Sequence, residues 1–238
     1  GGIPLEKFEK HRHLGSLWSL DKSQSFGELR NWDQRVKRLI EQYNMEHEDK
    51  LPEPTYVMEL KFDGLTINLT YENGNLIQGA TRGSGTTGEA ILPQLKTIKS
   101  VPLNIKHKGI IEVQGEGLMP LSALERYNET AVEPLKNARN AAAGALRNLD
   151  PKVTAERNLI AYFYNIGYGE NLRFNTHIEM IEFLKDNRFP VNEYLKTFSN
   201  IEEVIHEIER IKEDRKNLDV LTDGLVIKIN DMKTREAL

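Results

Sequence analysis

The chain has 238 residues, 39% of them hydrophobic, and a net charge of -4, which suits one large domain or two small ones with their own core. It has no cysteine, which excludes disulfides, thiolate nucleophiles and cysteine zinc sites. It lacks an apolar run of ~18 residues and a secretory signal, and its acidic balance disfavours blanket binding of nucleic acid, so we expect a cytoplasmic protein without a membrane partner.

The first strong pattern is an amphipathic helix that begins after Ser25. Glu28 follows three residues later, as in a capping box, and apolar residues then recur at helical spacing through "LRNWDQRVKRLIEQY". A charged connector with two prolines, "EHEDKLPEPTYV", comes next. We expect residues 1–50 to form an N-terminal arm and helix that pack on a core made by residues 51–238.

Strand patterns begin at Tyr56 and dominate several later segments. Alternating and β-branched residues run through "YVMELKFDGLTINLTYENGNLIQGATRG", with Asn73-Gly74 as a hairpin turn. Further strands are predicted in "GIIEVQGEGLM", "NLIAYFYNIGYG" and "TDGLVIKIND". Helices are predicted in "PLSALERYNE", "NARNAAAGALRNL", "NTHIEMIEFLKDN", "NIEEVIHEIERIKEDRKNL" and the terminal "DMKTREAL". Because strands and helices cluster without strict alternation, the pattern favours an α+β fold with antiparallel sheets.

A lysine stands between two acids in the strand "MELKFDG". Period-2 geometry directs Glu59, Lys61 and Asp63 to one face of the strand. A lysine amine is nucleophilic only when deprotonated, and with a reference pKa of about 10.4 this needs a nearby cation or desolvation. Lys228, alone in a second apolar strand, would supply such a cation if it faced the same cleft. Each lysine could instead lie on a solvated sheet face.

Other polar residues in the strands fit a nucleotide site. Arg82 follows the hairpin in the glycine-rich "GATRGSGTTGE", and its guanidinium matches phosphate or ribose oxygens. Glu112 and Glu116 share parity in "EVQGE", although a solvated pair is equally compatible with this pattern. Together these residues indicate lysine-dependent nucleotidyl transfer, in which the amine attacks a nucleotide α-phosphate.

Five ordered blocks resemble one family. "ELKFDG" is similar to the lysine-x-aspartate-glycine signature of covalent nucleotidyltransferases, and "GATRGSGTTGE", "EVQGEGLMP", "NARNAAAGALRNLDP" and "TDGLVIKIND" resemble the adenylation domain of bacterial NAD-dependent DNA ligases. The resemblance runs from "SLWSLD" to the C-terminus. It implies a nucleotidyltransferase fold of two antiparallel sheets with flanking helices and a nucleotide cleft between them.

The resemblance also implies a reaction and a set of residue roles. Lys61 would be adenylated by NAD, AMP would pass to the 5′-phosphate of a nick in double-stranded DNA, and the 3′-hydroxyl would seal the nick, assisted by Mg²⁺. The protein would act as a monomer in DNA replication and repair. The implied roles are Asp63 in activating the lysine; Ser19, Leu20, Glu59, Arg82, Glu116, Tyr164, Val226 and Lys228 in nucleotide binding; Asp223 as support; and Arg139 and Arg147 in contact with DNA or the nicotinamide mononucleotide. No direct protein ligand for a metal is predicted.

The chain also departs from the family pattern. Ser84, Ala90, Leu92 and Gln114 stand where the family usually has other residues, which concerns DNA contacts more than the nucleotide pocket. The family's mononucleotide-gripping, oligonucleotide-binding, zinc-finger, helix-hairpin-helix and BRCT parts have no counterpart here, so we expect an excised core, with zinc confined to the absent C-terminal part and little activity in the fragment. The alternatives are an ATP-dependent ligase or capping-type enzyme, and a non-catalytic nucleotide- or DNA-binding module.

Overall fold

The computed structural model describes residues 17–20, 25–82, 88–212, 214 and 218–238. The strands are β1 Leu17–Leu20, β2 Tyr56–Phe62, β3 Leu65–Glu72, β4 Asn75–Thr81, β5 Ile111–Leu118, β6 Ile160–Gly169, β7 Lys196–Phe198 and β8 Thr222–Ile229. The helices are α1 Phe26–Glu46, α2 Leu92–Leu95, α3 Leu121–Thr130, α4 Ala138–Arg147, α5 Pro151–Glu156, α6 His177–Asp186, α7 Ile201–Ile211 and α8 Met232–Ala237.

The strands form two antiparallel four-stranded sheets. The first sheet has the order β1-β8-β2-β7, and the second has the order β4-β3-β5-β6. Helices flank both sheets, so the predicted α+β architecture is confirmed. In the described residues, no helix is both long and apolar enough to cross a membrane.

Each sheet has its own hydrophobic core. Against the first sheet, Leu29, Trp32 and Val36 of α1 pack with strand residues such as Met58 and with the isoleucines of α7. Against the second sheet, the apolar face of β3 and the alanines of α4 form a larger core with α6. Because each core covers one face of its sheet, the polar faces are left to form the space between the sheets.

The chain passes from the first sheet to the second at Asp63-Gly64, between β2 and β3. A Cβ at Gly64 would lie 2.1 Å from the carbonyl oxygen of Gly117 and 2.7 Å from Leu118 Cδ2, so only glycine fits this close approach. Phe62, the last residue of β2, stacks on Tyr162 of β6 with ring centroids 4.8 Å apart. The crossing therefore places the end of β2, and Lys61 with it, directly at the boundary between the sheets.

Predicted caps are present at three helix starts. The side chains of Ser25, Thr176 and Asn200 accept hydrogen bonds from the backbone N–H groups three residues on, and α1, α6 and α7 begin immediately after them. Helix α7 is shorter than predicted, because it ends at Ile211; part of the predicted remainder lies outside the described residues.

The Asn73-Gly74 hairpin gives a first testable prediction. Both residues have positive φ angles, 50° and 81°, as the turn requires, and a Cβ at Gly74 would lie 2.7 Å from Ile105 O. We expect Gly74→Ala to lower the free energy of unfolding by about 1–2 kcal/mol, measured by urea titration of the chain.

Gly144 provides the matched control for that substitution. It lies within α4, and a Cβ there would have no neighbour within 4 Å. Gly144→Ala should therefore raise the free energy of unfolding by about 0.5–1 kcal/mol. Equal effects of the two substitutions would contradict the argument from backbone conformation.

Candidate functional site

A cleft of about 1460 Å³ lies between the two sheets, around the point where β2 gives way to β3. It has a mixed lining of charged, aromatic and aliphatic side chains. Ten of the residues predicted to form a nucleotide site line it: Glu59, Lys61, Asp63, Arg82, Glu116, Arg139, Tyr164, Asp223, Val226 and Lys228. Residues that are widely separated in the sequence thus meet in one cavity.

Lys61 lies near the end of β2 with its amine open to the cleft. Its side chain is 43% exposed, and its Nζ lies 4.0 Å from an oxygen of Asp223 on β8. The Asp223 side chain is itself 64% exposed, and ion pairs of this kind contribute at most about 1 kcal/mol. This contact is therefore too weak to hold the amine, which can leave Asp223 for a ligand in the cleft.

Asp63 lies just beyond the end of β2, and its backbone N–H donates to Leu221 O at 2.9 Å. The register of β2 against β8 shifts between Leu60 and Phe62, so simple alternation does not extend to Asp63. Its carboxylate lies 3.8 Å from Arg139 Nε. Lys61 and Asp63 both line the cleft, but the ion pairs join Lys61 to Asp223 and Asp63 to Arg139.

Glu59 and Lys228 form a buried ion pair on the cleft side of the first sheet. Lys228 Nζ lies 3.1 Å from Glu59 Oε1, and the two side chains are only 12% and 5% exposed. Burial alone would raise the pKa of Glu59, but Lys228 and His177 together hold the pKa far below its usual value. Glu59 is therefore an ionised acceptor at neutral pH. Its ion pair holds Lys228 in place, whereas Lys61 is only loosely held.

Lys228 also faces an aromatic ring on the opposite sheet. Its Nζ lies 5.3 Å from the centre of the Tyr164 ring, within the range of a cation–π interaction. Tyr164 belongs to β6 of the second sheet, so the ammonium lies between the two walls of the cleft. A phosphate entering there would meet a cation already in position.

Glu116 lies on β5 at the wall of the cleft formed by the second sheet. Its Oε1 accepts a hydrogen bond of 3.1 Å from Thr66 Oγ1 on β3. Burial is the largest cause that raises the pKa of Glu116 to about 7, and the nearby charge of Asp63 adds to it. At neutral pH this carboxyl can therefore donate or accept hydrogen bonds. Glu112, which shares its parity, does not belong to the lining of the cleft.

The raised pKa of Glu116 predicts a pH-dependent stability effect. The folded protein binds the proton of the Glu116 carboxyl more tightly than the unfolded chain does. The contribution of Glu116 to stability is therefore complete below about pH 4.5 and is lost as the pH rises through about 7. Glu116→Gln should therefore leave stability little changed at pH 5 and raise it by about 2 kcal/mol at pH 8. Urea titrations at both pH values, with the exposed Glu125→Gln as reference, measure this difference. A gain at pH 8 no larger than at pH 5 would contradict the assignment.

One predicted site residue lies outside the lining of the cleft, and the side chains of two others are not among the described parts of the chain. Arg147 is exposed in the last turn of α4 and does not belong to the lining of the cleft. Ser19 and Leu20 lie on β1, where their backbones pair with Val226 and Leu225 of β8, and their side chains lie outside the described residues. Among the departures from the family pattern, Ser84 also lies outside the described residues.

Some residues of the site were missed from the sequence. His177 is completely buried, with its Nε2 2.6 Å from Glu59 Oε1. Phe62 and Tyr162, which stack across the two sheets, also line the cleft. A histidine directly after a helix cap carries no pattern that points to a distant strand. The tyrosines of "YFYNIG" do alternate, so their shared face was the one available signal.

No group of three or more His, Cys, Asp or Glu side chains suited to hold a metal ion occurs in the described parts of the chain. Two acids of the cleft, Asp63 and Asp223, each lie near a basic side chain instead. A divalent cation at this cleft would need most of its ligands from a bound substrate and from water, which is the usual mode for Mg²⁺.

Two antiparallel sheets with a lysine-bearing cleft between them are the features of an adenylation domain. The sequence matches the family described as NAD-dependent DNA ligase adenylation domain over residues 5–238, and the chain belongs to that family. It is 61% identical over its whole length to a protein named DNA ligase from Alkaliphilus oremlandii, of which it covers 35%. It is also 52% identical, over 239 aligned residues, to a protein named DNA ligase 2 from Clostridium acetobutylicum, of which it covers 36%. The chain thus spans about a third of the length of these relatives.

Proposed function

We propose that this chain is the catalytic adenylation core of an NAD-dependent DNA ligase, with Lys61 as the nucleophile. The observation that carries the proposal is the position of Lys61. Its side chain is 43% exposed in the cleft and weakly paired with Asp223, while Lys228 is fixed on the neighbouring strand β8. One lysine is free to react and the other is held to receive charge, which is the division that nucleotidyl transfer requires.

The proposed first step forms one bond and breaks one. Lys61 Nζ, as the free amine, attacks the phosphorus of the adenylyl half of NAD. The bond from that phosphorus to the bridging oxygen breaks, nicotinamide mononucleotide leaves with the electron pair, and the amine proton passes to solvent or to Asp223. The product is a phosphoramide between Lys61 and AMP, and Lys228 stabilises the charge that builds on the phosphoryl oxygens.

Two further steps would complete the reaction. The 5′-phosphate at a nick in double-stranded DNA attacks the adenylyl phosphorus, which releases Lys61 and leaves AMP on the DNA. The 3′-hydroxyl then attacks the 5′-phosphate and expels AMP as the strand is sealed. Mg²⁺, held mainly by substrate phosphates and water, supplies charge neutralisation when bound.

The lining of the cleft supports the roles proposed for Glu59, Arg82, Glu116, Tyr164, Val226 and Lys228 in nucleotide binding. Glu59 would accept a hydrogen bond from the adenine amino group, and Tyr164 would stack on the base. Arg82 and Glu116 would bind ribose or phosphate, and Asp63 would help to activate Lys61. Val226, Ser19 and Leu20 would lie beside the nucleotide, and Asp223 would support β8. Arg139, and Arg147 outside the cleft, would contact DNA or the nicotinamide mononucleotide.

The test is the intact mass of a full-length protein that contains this chain, after incubation with NAD and Mg²⁺. We expect a gain of one adenylyl group, located on Lys61 by peptide mapping and released by nicked DNA. The 238-residue chain alone should gain little, because the part that grips the mononucleotide half of NAD belongs to the rest of the enzyme. An adduct formed with ATP in place of NAD would indicate the ATP-dependent alternative, and AMP binding without any adduct would indicate a non-catalytic module.

We also propose the setting in which the full-length protein works. It would act on nicked DNA as a monomer in the cytoplasm during replication and repair. The match to the adenylation-domain family supports the NAD-dependent reading over a capping-type enzyme.

A further inference from the structure

A histidine with no role in the proposed chemistry lies behind the cleft. His177, at the start of α6, is 0% exposed, and its Nε2 lies 2.6 Å from Oε1 of Glu59. Lys228 Nζ contacts the same oxygen at 3.1 Å. Glu59 also lines the cleft. The Glu59 carboxylate is thus in contact with a histidine and a lysine in the wall of the cleft.

The backbone holds the His177 ring in register with the first sheet. The His177 N–H donates to Asn230 O at 2.8 Å, and the Ile178 N–H donates to Asn230 Oδ1 at 3.3 Å. Asn230 follows β8 directly, and its own N–H donates to Thr55 O, directly before β2. The start of α6 is therefore fastened to the ends of the two strands that carry Lys228 and Glu59.

The chemical state of His177 follows from its surroundings. Burial is the largest cause that lowers the pKa of His177 to about 4, so the ring is neutral at pH 7 although Glu59 opposes the shift. A neutral imidazole has one N–H, and the contact with an ionised carboxylate assigns it to Nε2. Nε2 and Oε1 are in close contact at 2.6 Å, although neither atom has a partner with hydrogen-bond geometry among the described residues.

We infer that His177 is a positioning residue that fixes the rotamer of Glu59, so that its carboxylate selects a 6-amino purine over a 6-oxo purine in the cleft. This inference rests on the proposed nucleotide site. An amino group at position 6 donates to a carboxylate oxygen, whereas a carbonyl at that position presents a second acceptor and is repelled. Discrimination requires that Glu59 cannot turn away from the wrong base. The contacts of Oε1 with His177 and with Lys228 supply that restraint.

The experiment compares the binding of AMP and IMP to the 238-residue chain by calorimetry. The native chain should bind AMP more tightly than IMP. His177→Leu removes the polar contact at similar volume, and we expect the preference for AMP to fall about tenfold, since a close contact with a charged group is lost. His177→Gln places an amide N–H near the position of Nε2 and should restore most of the preference, whereas the shorter His177→Asn should not.

The control variant is Thr176→Ala, which removes the side-chain cap of the same helix and leaves the His177 side chain in place. It should lower the melting temperature of the chain and leave the ratio of AMP to IMP affinity unchanged. A loss of stability at the start of α6 alone would thus be distinguished from a change at Glu59. If His177→Leu does not fold, the contrast between His177→Gln and His177→Asn tests the same point.

The outcomes separate this inference from the proposed function. If the native chain prefers AMP and the folded His177 variants keep the same preference, the inference is wrong and the nucleotide site stands. If the native chain binds neither nucleotide, the proposed site fails and the inference fails with it. A loss of preference in His177→Leu with recovery in His177→Gln supports the inference.

Discussion

In the full-length protein, Lys61→Ala is expected to lower the rate of AMP-adduct formation with NAD to less than roughly one-thousandth of the wild-type rate, because the nucleophile is absent. Lys61→Arg should be equally inactive, since a guanidinium keeps the positive charge and can still pair with Asp223 but cannot act as a free amine. The pair of variants therefore separates a nucleophile from a mere cation. Intact mass after incubation with NAD and Mg²⁺ gives the readout.

A second substrate locates the defect in the reaction. Both Lys61 variants should still seal a nick that already carries AMP on its 5′-phosphate, because that step does not require a lysine nucleophile. The control is Lys196→Ala on β7 of the same sheet: Lys196 pairs in register with Met58, whose side chain packs in the core away from the cleft. This variant should form the adduct normally. An adduct that survives Lys61→Ala would remove Lys61 from the mechanism.

Local patterns were sufficient for much of the fold. Helix α1 begins where Ser25 and Glu28 indicated, because a cap depends on residues three positions apart. The Asn73-Gly74 turn was readable for the same reason, since its positive φ angles are a property of the two residues themselves. Such signals act over a few residues and survive in any tertiary context.

The pairing of side chains across the cleft could not be predicted from such local sequence patterns. Alternation indicated that Glu59 and Lys61 share a face, but the shift in register after Leu60 and the end of β2 at Phe62 decide where Asp63 points. The partners of Lys61 and Asp63, which are Asp223 and Arg139, come from distant elements. Only the packing of the two sheets determines those contacts.

His177 shows the limit most clearly. Its position after the Thr176 cap is local, whereas its burial against Glu59 depends on the hydrogen bonds between the start of α6 and Asn230. The cap was predictable and the contact was not. In the cleft, Lys61 and Lys228 were both recognisable as lysines in apolar strands, but their difference in freedom came from exposures of 43% and 12%.

That difference in freedom predicts a large stability effect at the buried pair. Lys228→Met leaves the carboxylate of Glu59, whose side chain is 5% exposed, without its cation. Loss of one partner of a buried pair usually lowers the free energy of unfolding by about 3–5 kcal/mol, and we expect that range for the chain in urea titrations at pH 7. Lys196→Met should cost less than about 1 kcal/mol, because Lys196 is 45% exposed and Glu207 keeps its contact with Arg210.

The double variant Lys228→Met with Glu59→Gln separates stability from chemistry. Replacing both charges removes the uncompensated carboxylate, so most of the lost free energy of unfolding should return. Adduct formation in the full-length protein should not return, because the cation that Lys228 places beside the Tyr164 ring is then missing from the cleft. If the double variant recovered adduct formation together with stability, Lys228 would act only through the fold. If it recovered neither, the cost would lie in packing around the lysine side chain and not in the unpaired charge of Glu59.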